Sequence, residues 1–271
     1  MIRVVSWGIA GSLVDGGRTG RAWLGQSRGG AVDIASLGLA NRLVGNTESQ
    51  PCIESSGGLK LGFDEPTMVA LTGAVAEVTV ADGPPVGWGS PVAMPAGASM
   101  RIGRVLDGAR VYVAIRGGLR STPAGWMAGP DPLTAAASQS AARAPLRSTL
   151  RLWPGPRLEW ADADTWAQLM SSEFTVTATS RVGVRLGGPV LHRANLAELP
   201  SEGMLEGAVQ LPPDGHPIIM LADHPTTGGY PVIAVVDPAD LPALAQAAAG
   251  VSLRFAESPS RHEWPPTAAR R

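Results

Sequence analysis

The sequence predicts a mainly β, barrel-like fold with a few short helices. Three observations point there. Short apolar runs rich in Val, Ile and Leu recur along the 271-residue chain, bounded by Gly, Pro, Asn or Asp. Gly (34) and Pro (24) exceed ordinary use without a collagen-like period or low complexity, as strands joined by many tight turns require. Helical periodicity is confined to a few separate stretches.

Taken in order, the expected strands are Ile2–Ser6, Thr67–Leu71, Glu77–Val80, Ser99–Ile102, Arg110–Ile115, Thr149–Trp153, Phe174–Ala178, Ala208–Leu211, Ile218–Leu221, Val232–Val236 and Val251–Phe255. Turn signals separate them: Asp82-Gly83-Pro84-Pro85, Pro95-Ala96-Gly97, Gly117-Gly118 and Pro212-Pro213-Asp214-Gly215. Asp33 is placed to cap a helix reaching Val44, with Gly45-Asn46 as a left-handed stop and Ile34, Leu37, Ala40 and Val44 on one face. Trp160, Ala163, Ala167 and Met170 mark a second helix. Asp237-Pro238 starts a third, which Gly250 ends. Residues 120–148 are rich in Ser, Ala, Pro and Gly and lack periodicity. Two β domains are therefore expected, over residues 1–125 and 150–256, joined by a linker or long loop at 126–149 and followed by a disordered tail at 257–271.

Composition narrows the function. Hydrophobic content of 44% and charged content of 17% are those of a soluble globular protein. A net charge of −1 gives no electrostatic reason for a nucleic-acid or anionic-membrane partner, and no run approaches the roughly 18 apolar residues of a membrane span. The segment Met1-Ile2-Arg3-Val4-Val5-Ser6-Trp7 reads as a first strand, not a signal peptide, so a cytoplasmic location is expected. Cys52 is alone, which excludes an internal disulfide and a cysteine zinc site. Lys60 is the only lysine among 22 basic residues, and neither Met-Lys-Met nor Gly-Lys-Ser/Thr occurs, so neither carried biotin nor P-loop ATP binding is expected. His192, His216, His224 and His262 are scattered, and no metal site is expected.

The chemistry-bearing residues fall into four groups. In the first, Asp15-Gly16-Gly17-Arg18-Thr19-Gly20 is followed by Gly25-Gln26-Ser27-Arg28-Gly29-Gly30-Ala31-Val32-Asp33. Its glycines can turn backbone N–H groups into one concavity, with the positive end of the next helix behind them. Arg18 and Arg28 suit a carboxylate by paired hydrogen bonds, with Ser27, Gly29 and Asp33 beside them. The same residues also read as two turns in front of a capped helix. The second group is Ser180–Arg185, where Arg181 follows a strand end and is either an anion contact or an ordinary exposed arginine. The third holds Ser201-Glu202-Gly203 and Gly207–Gly215, in which Gln210 faces either core or pocket. The fourth is Leu221–Pro231. Asp223 is the best general-base candidate in the chain, and His224 is either an acid/base or a surface residue. Thr226, Thr227 and the amides of Gly228 and Gly229, with Tyr230 alongside, fit an oxyanion-type nest and fit equally a turn that satisfies its own backbone.

In this order the pieces resemble one family. Besides the four groups, the matching residues are Leu39-Ala40-Asn41-Arg42-Leu43-Val44-Gly45-Asn46, Glu54, Ala70-Leu71-Thr72-Gly73-Ala74, Arg116-Gly117-Gly118 and Pro154-Gly155-Pro156, so that matches run from about 13 to 255. The chain resembles the biotin-dependent carboxyltransferase-like family, which includes the C-type component of bacterial 5-oxoprolinase (allophanate hydrolase subunit 2), the A half of the urea carboxylase carboxyltransferase domain, and the sporulation antikinase antagonist. The resemblance implies two β-barrel domains, the C-terminal one cyclophilin-like. It implies a B-type cyclophilin-like partner subunit in a heterodimer or heterotetramer, and an A-type hydrolase subunit. It implies ATP-dependent opening of 5-oxoproline to glutamate by the complex. No cofactor is expected on this chain alone: ATP is used by the complex, and biotin enters only with a separate carboxylase. The chain lacks ATP-grasp, biotin-carrier and amidase-signature segments, so it is not expected to carry out urea carboxylation or allophanate hydrolysis by itself. The family's Gly-Ser-Arg-Ser/Thr-rich loop is replaced here by Trp126-Met127-Ala128-Gly129-Pro130-Asp131-Pro132-Leu133, which implies altered substrate choice or weaker activity. The alternatives to a hydrolase subunit are a non-catalytic protein that sequesters a B-type antikinase and a carboxyltransferase half-site of a urea carboxylase-like system.

Overall fold

The computed structural model describes residues 1–81, 86–122, 125–128 and 147–259. In the first half of the chain the strands are β1 (Ile2–Ser6), β2 (Ser12–Val14), β3 (Cys52–Ser55), β4 (Lys60–Phe63), β5 (Thr67–Ala81), β6 (Val92–Met94), β7 (Ser99–Ile115), β8 (Leu119–Thr122) and β9 (Gly125–Ala128), with helix α1 (Ile34–Leu43) between β2 and β3. They form one sheet in the order β2-β3-β7-β4-β1-β9-β8, with β5 also on β7 and β6 on β5. The second half contributes β10 (Thr149–Pro154), α2 (Thr165–Ser171), β11 (Glu173–Thr179), β12 (Gly183–Gly187), β13 (Glu202–Gly203), β14 (Ala208–Gln210), β15 (Ile218–Met220), β16 (Thr227–Gly228), β17 (Val232–Val236), α3 (Leu241–Ala245) and β18 (Ser252–Glu257). Here the sheet closes into a barrel in the order β10-β17-β14-β15-β12-β11-β18, and β18 returns to β10 as its parallel neighbour.

The fold is mainly β, as expected, but only the second unit closes. The first sheet is a curled half-barrel whose path ends at β2 and β8. Thr67–Leu71 and Glu77–Val80 are one strand, as are Ser99–Ile102 and Arg110–Ile115, and β5 and β7 run side by side through several bulges. Gly73 and Gly108, which lie in the gaps between the expected strands, act as bulge residues. Both have positive φ, and a Cβ on Gly73 would overlap the Arg110 carbonyl oxygen. Strand β9 occupies Gly125–Ala128, where the linker was expected to begin, and pairs with β8 and β1. Residues 129–146 of that linker, Gly129–Leu133 of the departing loop among them, and most of the expected tail lie outside the described residues, while Thr149 at the linker's expected end already belongs to β10.

Each unit has its own core. Leu150, Leu152, Phe174, Val176, Val184, Leu186, Ile219 and Ile233 fill the barrel, whereas Ile53, Leu61, Phe63, Ile102, Val113 and Ile115 fill one side of the first sheet. On its other side α1 packs Leu37, Ala40, Leu43 and Val44 against Tyr112, Ala70 and Ala114. Asp33 caps α1 by accepting from the Ser36 N–H at 2.9 Å, and Gly45 beyond it is left-handed. Ile34, expected on the buried face, is exposed in the first turn, and Leu43 takes the inward place. The second helix is shorter than expected. A 3-10 turn over Leu158–Trp160 precedes α2, whose buried residues are Thr165 and Leu169. The Pro212–Gly215 turn joins β14 to β15 as a hairpin. The connection Leu221–Pro231 is not a hairpin: β15 and β17 flank β14 on opposite sides, so it must cross the end of the barrel.

Candidate functional site

The two units meet along a seam of buried charge. Glu54 on β3 is 2% exposed, and an isolated carboxylate at that depth would be costly. Its Oε2 accepts from the Tyr112 hydroxyl (2.7 Å) and the Val32 N–H (3.1 Å), and its Oε1 accepts from Arg181 Nη1 at 2.5 Å. Arg181 sits in the turn between β11 and β12, so this bond crosses from barrel to sheet. The rest of its guanidinium is committed as well. Nε and Nη2 donate to the two carboxylate oxygens of Asp223, at 2.7 and 3.1 Å, and Nη2 also donates to the Gly30 carbonyl at 2.5 Å. Burial works to lower the Arg181 pKa, but the pairing with Asp223 and Glu54 outweighs it and raises the value, so the charge is permanent. Burial, then the charge of Glu54, pushes the Tyr112 hydroxyl well above its ordinary range, which keeps it a donor.

A second set of contacts closes the seam beside it. Gln246, just past α3, donates to Asp33 Oδ2 (2.7 Å) and to the Arg110 carbonyl (3.1 Å), and its Oε1 accepts from the Ala109 and Arg110 N–H groups, each at 3.0 Å. Arg110 reaches across to the carbonyls of Ala245 and Ser180. Burial raises the Asp33 pKa, with the hydrogen bonds from Ser36 and Gln246 opposing. Backbone bonds from Gly29 N–H to Ala222 O (3.0 Å) and from Asp223 N–H to Arg181 O (3.0 Å) complete the junction.

In front of this seam lies a cleft of about 290 Å³, lined by Ser12, Asp15, Arg18, Gly30, Pro51 and Arg181, with β2 as its wall. The Asp15–Arg18 turn and the Arg28–Gly30 turn form its floor because Arg18 N–H bonds to Arg28 O (2.7 Å) and Ala31 N–H to Asp15 O (2.8 Å). Only glycine permits that approach: a Cβ on Gly30 would overlap the Gly17 nitrogen.

The sequence-selected residues divide between three places. Arg18 and Arg181 reach the cleft. Arg28 does not present a free guanidinium: Nε and Nη2 grip Glu206 at 2.7 and 3.0 Å, and Nη2 also donates to the Ala31 carbonyl. Asp33 is a buried cap, Gly29 serves through its backbone, and Ser27 is half-buried beside them. Asp223 belongs to the seam. His224 is buried as well, with Nδ1 2.7 Å from the Pro225 carbonyl, a contact in which Nδ1–H donates. The remainder of the fourth group forms a separate structure. Thr227-Gly228 pairs with Glu202-Gly203 as a short ribbon, the Thr226 carbonyl accepts from the Met204 N–H, and buried Gln210 donates to the Tyr230 carbonyl at 3.1 Å. Thr227 is exposed and Tyr230 is 44% exposed. A Cβ on Gly228 would lie 2.7 Å from Met204 Cε, the movable end of that side chain. Glu54, Arg110, Tyr112, Glu206 and Gln246 were not selected as site residues. Of these only Glu54 carried a signal, as part of the family match, and Tyr112 stands out only as one of two tyrosines. Among the described residues no group of three or more His, Cys, Asp or Glu is placed to hold a metal ion, and no helix is long and apolar enough to cross a membrane.

Comparison with known proteins gives a consistent set of likenesses. A family model described as carboxyltransferase domain, subdomain A and B, matches residues 24–125 and 125–257. The C-type component of the 5-oxoprolinase of Escherichia coli is 33% identical over 284 aligned positions, covering 95% of this chain and 91% of that protein. The crystal structure of TTHA0988 superposes with a TM-score of 0.84 at 32% identity, covering 94% of this chain and 55% of that one. The K. lactis urea amidolyase structure has a TM-score of 0.78 at 26% identity over 94% of this chain. The chain thus spans just over half the length of TTHA0988 and 18% of the amidolyase.

Proposed function

This chain belongs to the carboxyltransferase domain family, subdomains A and B, and from that premise we propose that it is one subunit of a multi-subunit hydrolase that handles a small amide or lactam. The substrate is 5-oxoproline, opened to glutamate at the expense of ATP together with B-type and A-type partner subunits, in the cytoplasm. The observation that carries this reading is the near full-length match to a relative named as a 5-oxoprolinase component. The cleft supports it: about 290 Å³ is near the lower end of the roughly 300–1,000 Å³ of ligand pockets, a fit for one small molecule.

The residues suggest a division of labour. The contacts of Arg181 engage four of its five N–H groups. The remaining Nη1 N–H and the fixed charge are available to polarise a bound amide carbonyl. Asp223, with both oxygens on Arg181, is a positioning residue in this reading rather than a base. ATP is used by the complex, and this chain supplies no cofactor of its own.

The test is coupled turnover. The chain is mixed with its B-type and A-type partners and 5-oxoproline, and ADP and glutamate are followed. Turnover is expected only when this chain is present, and Asp223→Asn is expected to lower kcat at least about tenfold with less change in KM. No turnover by the intact complex, or an Asp223→Asn variant indistinguishable from wild type, sinks the proposal.

A further inference from the structure

The loop that joins the two floor turns of the cleft is an arm with an apolar tip. Both of its feet are pinned. Arg18 N–H bonds to Arg28 O at 2.7 Å, and Gly29 N–H bonds to Ala222 O of the second unit at 3.0 Å. Between the feet, residues 18–26 are all exposed. The tip is nonetheless ordered by its own backbone. Ala22–Leu24 form one 3-10 turn, in which Leu24 N–H bonds to Arg21 O (3.0 Å) and Gly25 N–H to Ala22 O (2.9 Å), with Gly25 left-handed behind it. None of the three residues is buried. Trp23 is 81% exposed and Leu24 53%, and Trp23 alone among the described tryptophans is exposed. A Cβ added at Gly20 or Gly25 would meet nothing within 4 Å, so the tip stands clear of the rest of the chain on both sides.

A single exposed leucine needs no explanation. A tryptophan held out on an ordered turn does. It offers a large apolar surface with little left to order on binding, as anchors of protein–protein contacts do. The charge around it is of one sign. No Asp or Glu lies between Asp15 and Asp33, Glu206 answers Arg28, and the Arg21 side chain beside the tip makes no hydrogen bond or ion pair among the described residues. The matched region is 55% of the TTHA0988 chain and 18% of the urea amidolyase chain, so in both the same unit is joined to further polypeptide. Where that neighbour is a separate subunit, a surface takes the place of the peptide link. We infer that the arm over residues 18–28 is the docking element for the B-type subunit, with Trp23 and Leu24 entering an apolar pocket of that subunit and Arg21 facing carboxylates at the pocket's rim. This rests on the multi-subunit reading above and names the surface it uses. Because both feet of the arm belong to the cleft floor, a subunit that grips the tip stands beside the cleft.

The test is calorimetric titration of the full chain with the purified B-type subunit. Wild type is expected to bind. Trp23→Ala is expected to bind at least about thirtyfold more weakly, the loss typical of a truncated aromatic anchor, and Leu24→Ala about fivefold more weakly. Arg21→Gln is expected to flatten the salt dependence of the affinity. Leu196→Ala, at an 81% exposed leucine on the loop before β13, is the control and is expected to leave binding unchanged. All of these side chains are exposed, so each variant should unfold thermally as wild type does, which separates a lost contact from a lost fold. Wild-type binding that Trp23→Ala leaves intact overturns the inference while the multi-subunit reading stands, and so does an equal loss from Leu196→Ala. No binding by wild type overturns both. Dimers of this chain in sedimentation that Trp23→Ala dissociates would put a second copy on the arm and overturn the inference as well.

Discussion

The seam between the two units and the cleft in front of it are built from the same side chains, arginines and carboxylates, and they use them in opposite ways. In the seam every charge is answered. Glu54 takes three donors, Arg181 donates to two carboxylates and a carbonyl, and Gln246 uses both ends of its amide. At the cleft Arg18 and one oxygen of Asp15 are left without protein partners among the described residues. Burial explains the contrast. An unanswered charge in the seam would cost several kcal/mol, whereas one at a solvated rim costs little until a ligand displaces the water. A charged residue type therefore carries little functional meaning alone. What it is already paired with decides whether it holds the fold or waits for a ligand.

Substitutions can break this comparison, the largest effect first. Arg181→Ala strands Glu54 and Asp223 together and is expected to lower stability by about 3–5 kcal/mol, read by chemical denaturation. A loss under about 1 kcal/mol would mean that the seam charges are more hydrated than their burial indicates. Gln246→Ala removes the partner of two backbone amides and of Asp33, and is expected to cost about 2 kcal/mol in the same measurement. Arg151→Gln gives a smaller, pH-dependent loss. Burial raises the Asp240 pKa, but Arg151 and its backbone N–H more than offset this and hold the carboxyl below 3.8. A depressed value contributes stability above 3.8 that is lost as pH falls through the folded-state value. The variant should thus be less stable at neutral pH, with the gap closing on acidification below about pH 4. Asp33 should behave with the opposite sign. Burial raises its pKa above 3.8, so its contribution is full below that value and is lost as pH rises through the folded-state value. The smallest effect is Arg18→Gln, expected to change stability by less than about 0.5 kcal/mol.

Much of the fold was legible in the sequence because its signals are local. The Asp33 cap, the Gly45 stop, the Pro212–Gly215 hairpin and the strand at Val232–Val236 each depend on neighbours a few residues away. The long strands were misread because a bulge glycine and a turn glycine look alike, and only the partner strand separates them. The site divides along the same line. Arg181 and Asp223 were both singled out, yet as members of different groups, and nothing local shows that they bond across 42 residues. Arg28 read as a free anion contact because its neutraliser, Glu206, lies 178 residues away. Gly228 looked like part of a nest and instead pairs with Glu202 in a short ribbon whose partner lies 26 residues away. Chemistry was legible by residue type, whereas pairing, which decides its use, is a property of the folded chain.

The most direct measurement is a crystal structure of the chain with L-5-oxoproline bound. The ligand is predicted in the cleft beside Arg181, with the Glu54–Arg181–Asp223 contacts unchanged. A ligand bound instead against the Thr227-Gly228 ribbon, or one that reaches the cleft only by separating Arg181 from Asp223, would contradict the division between a closed seam and an open cleft.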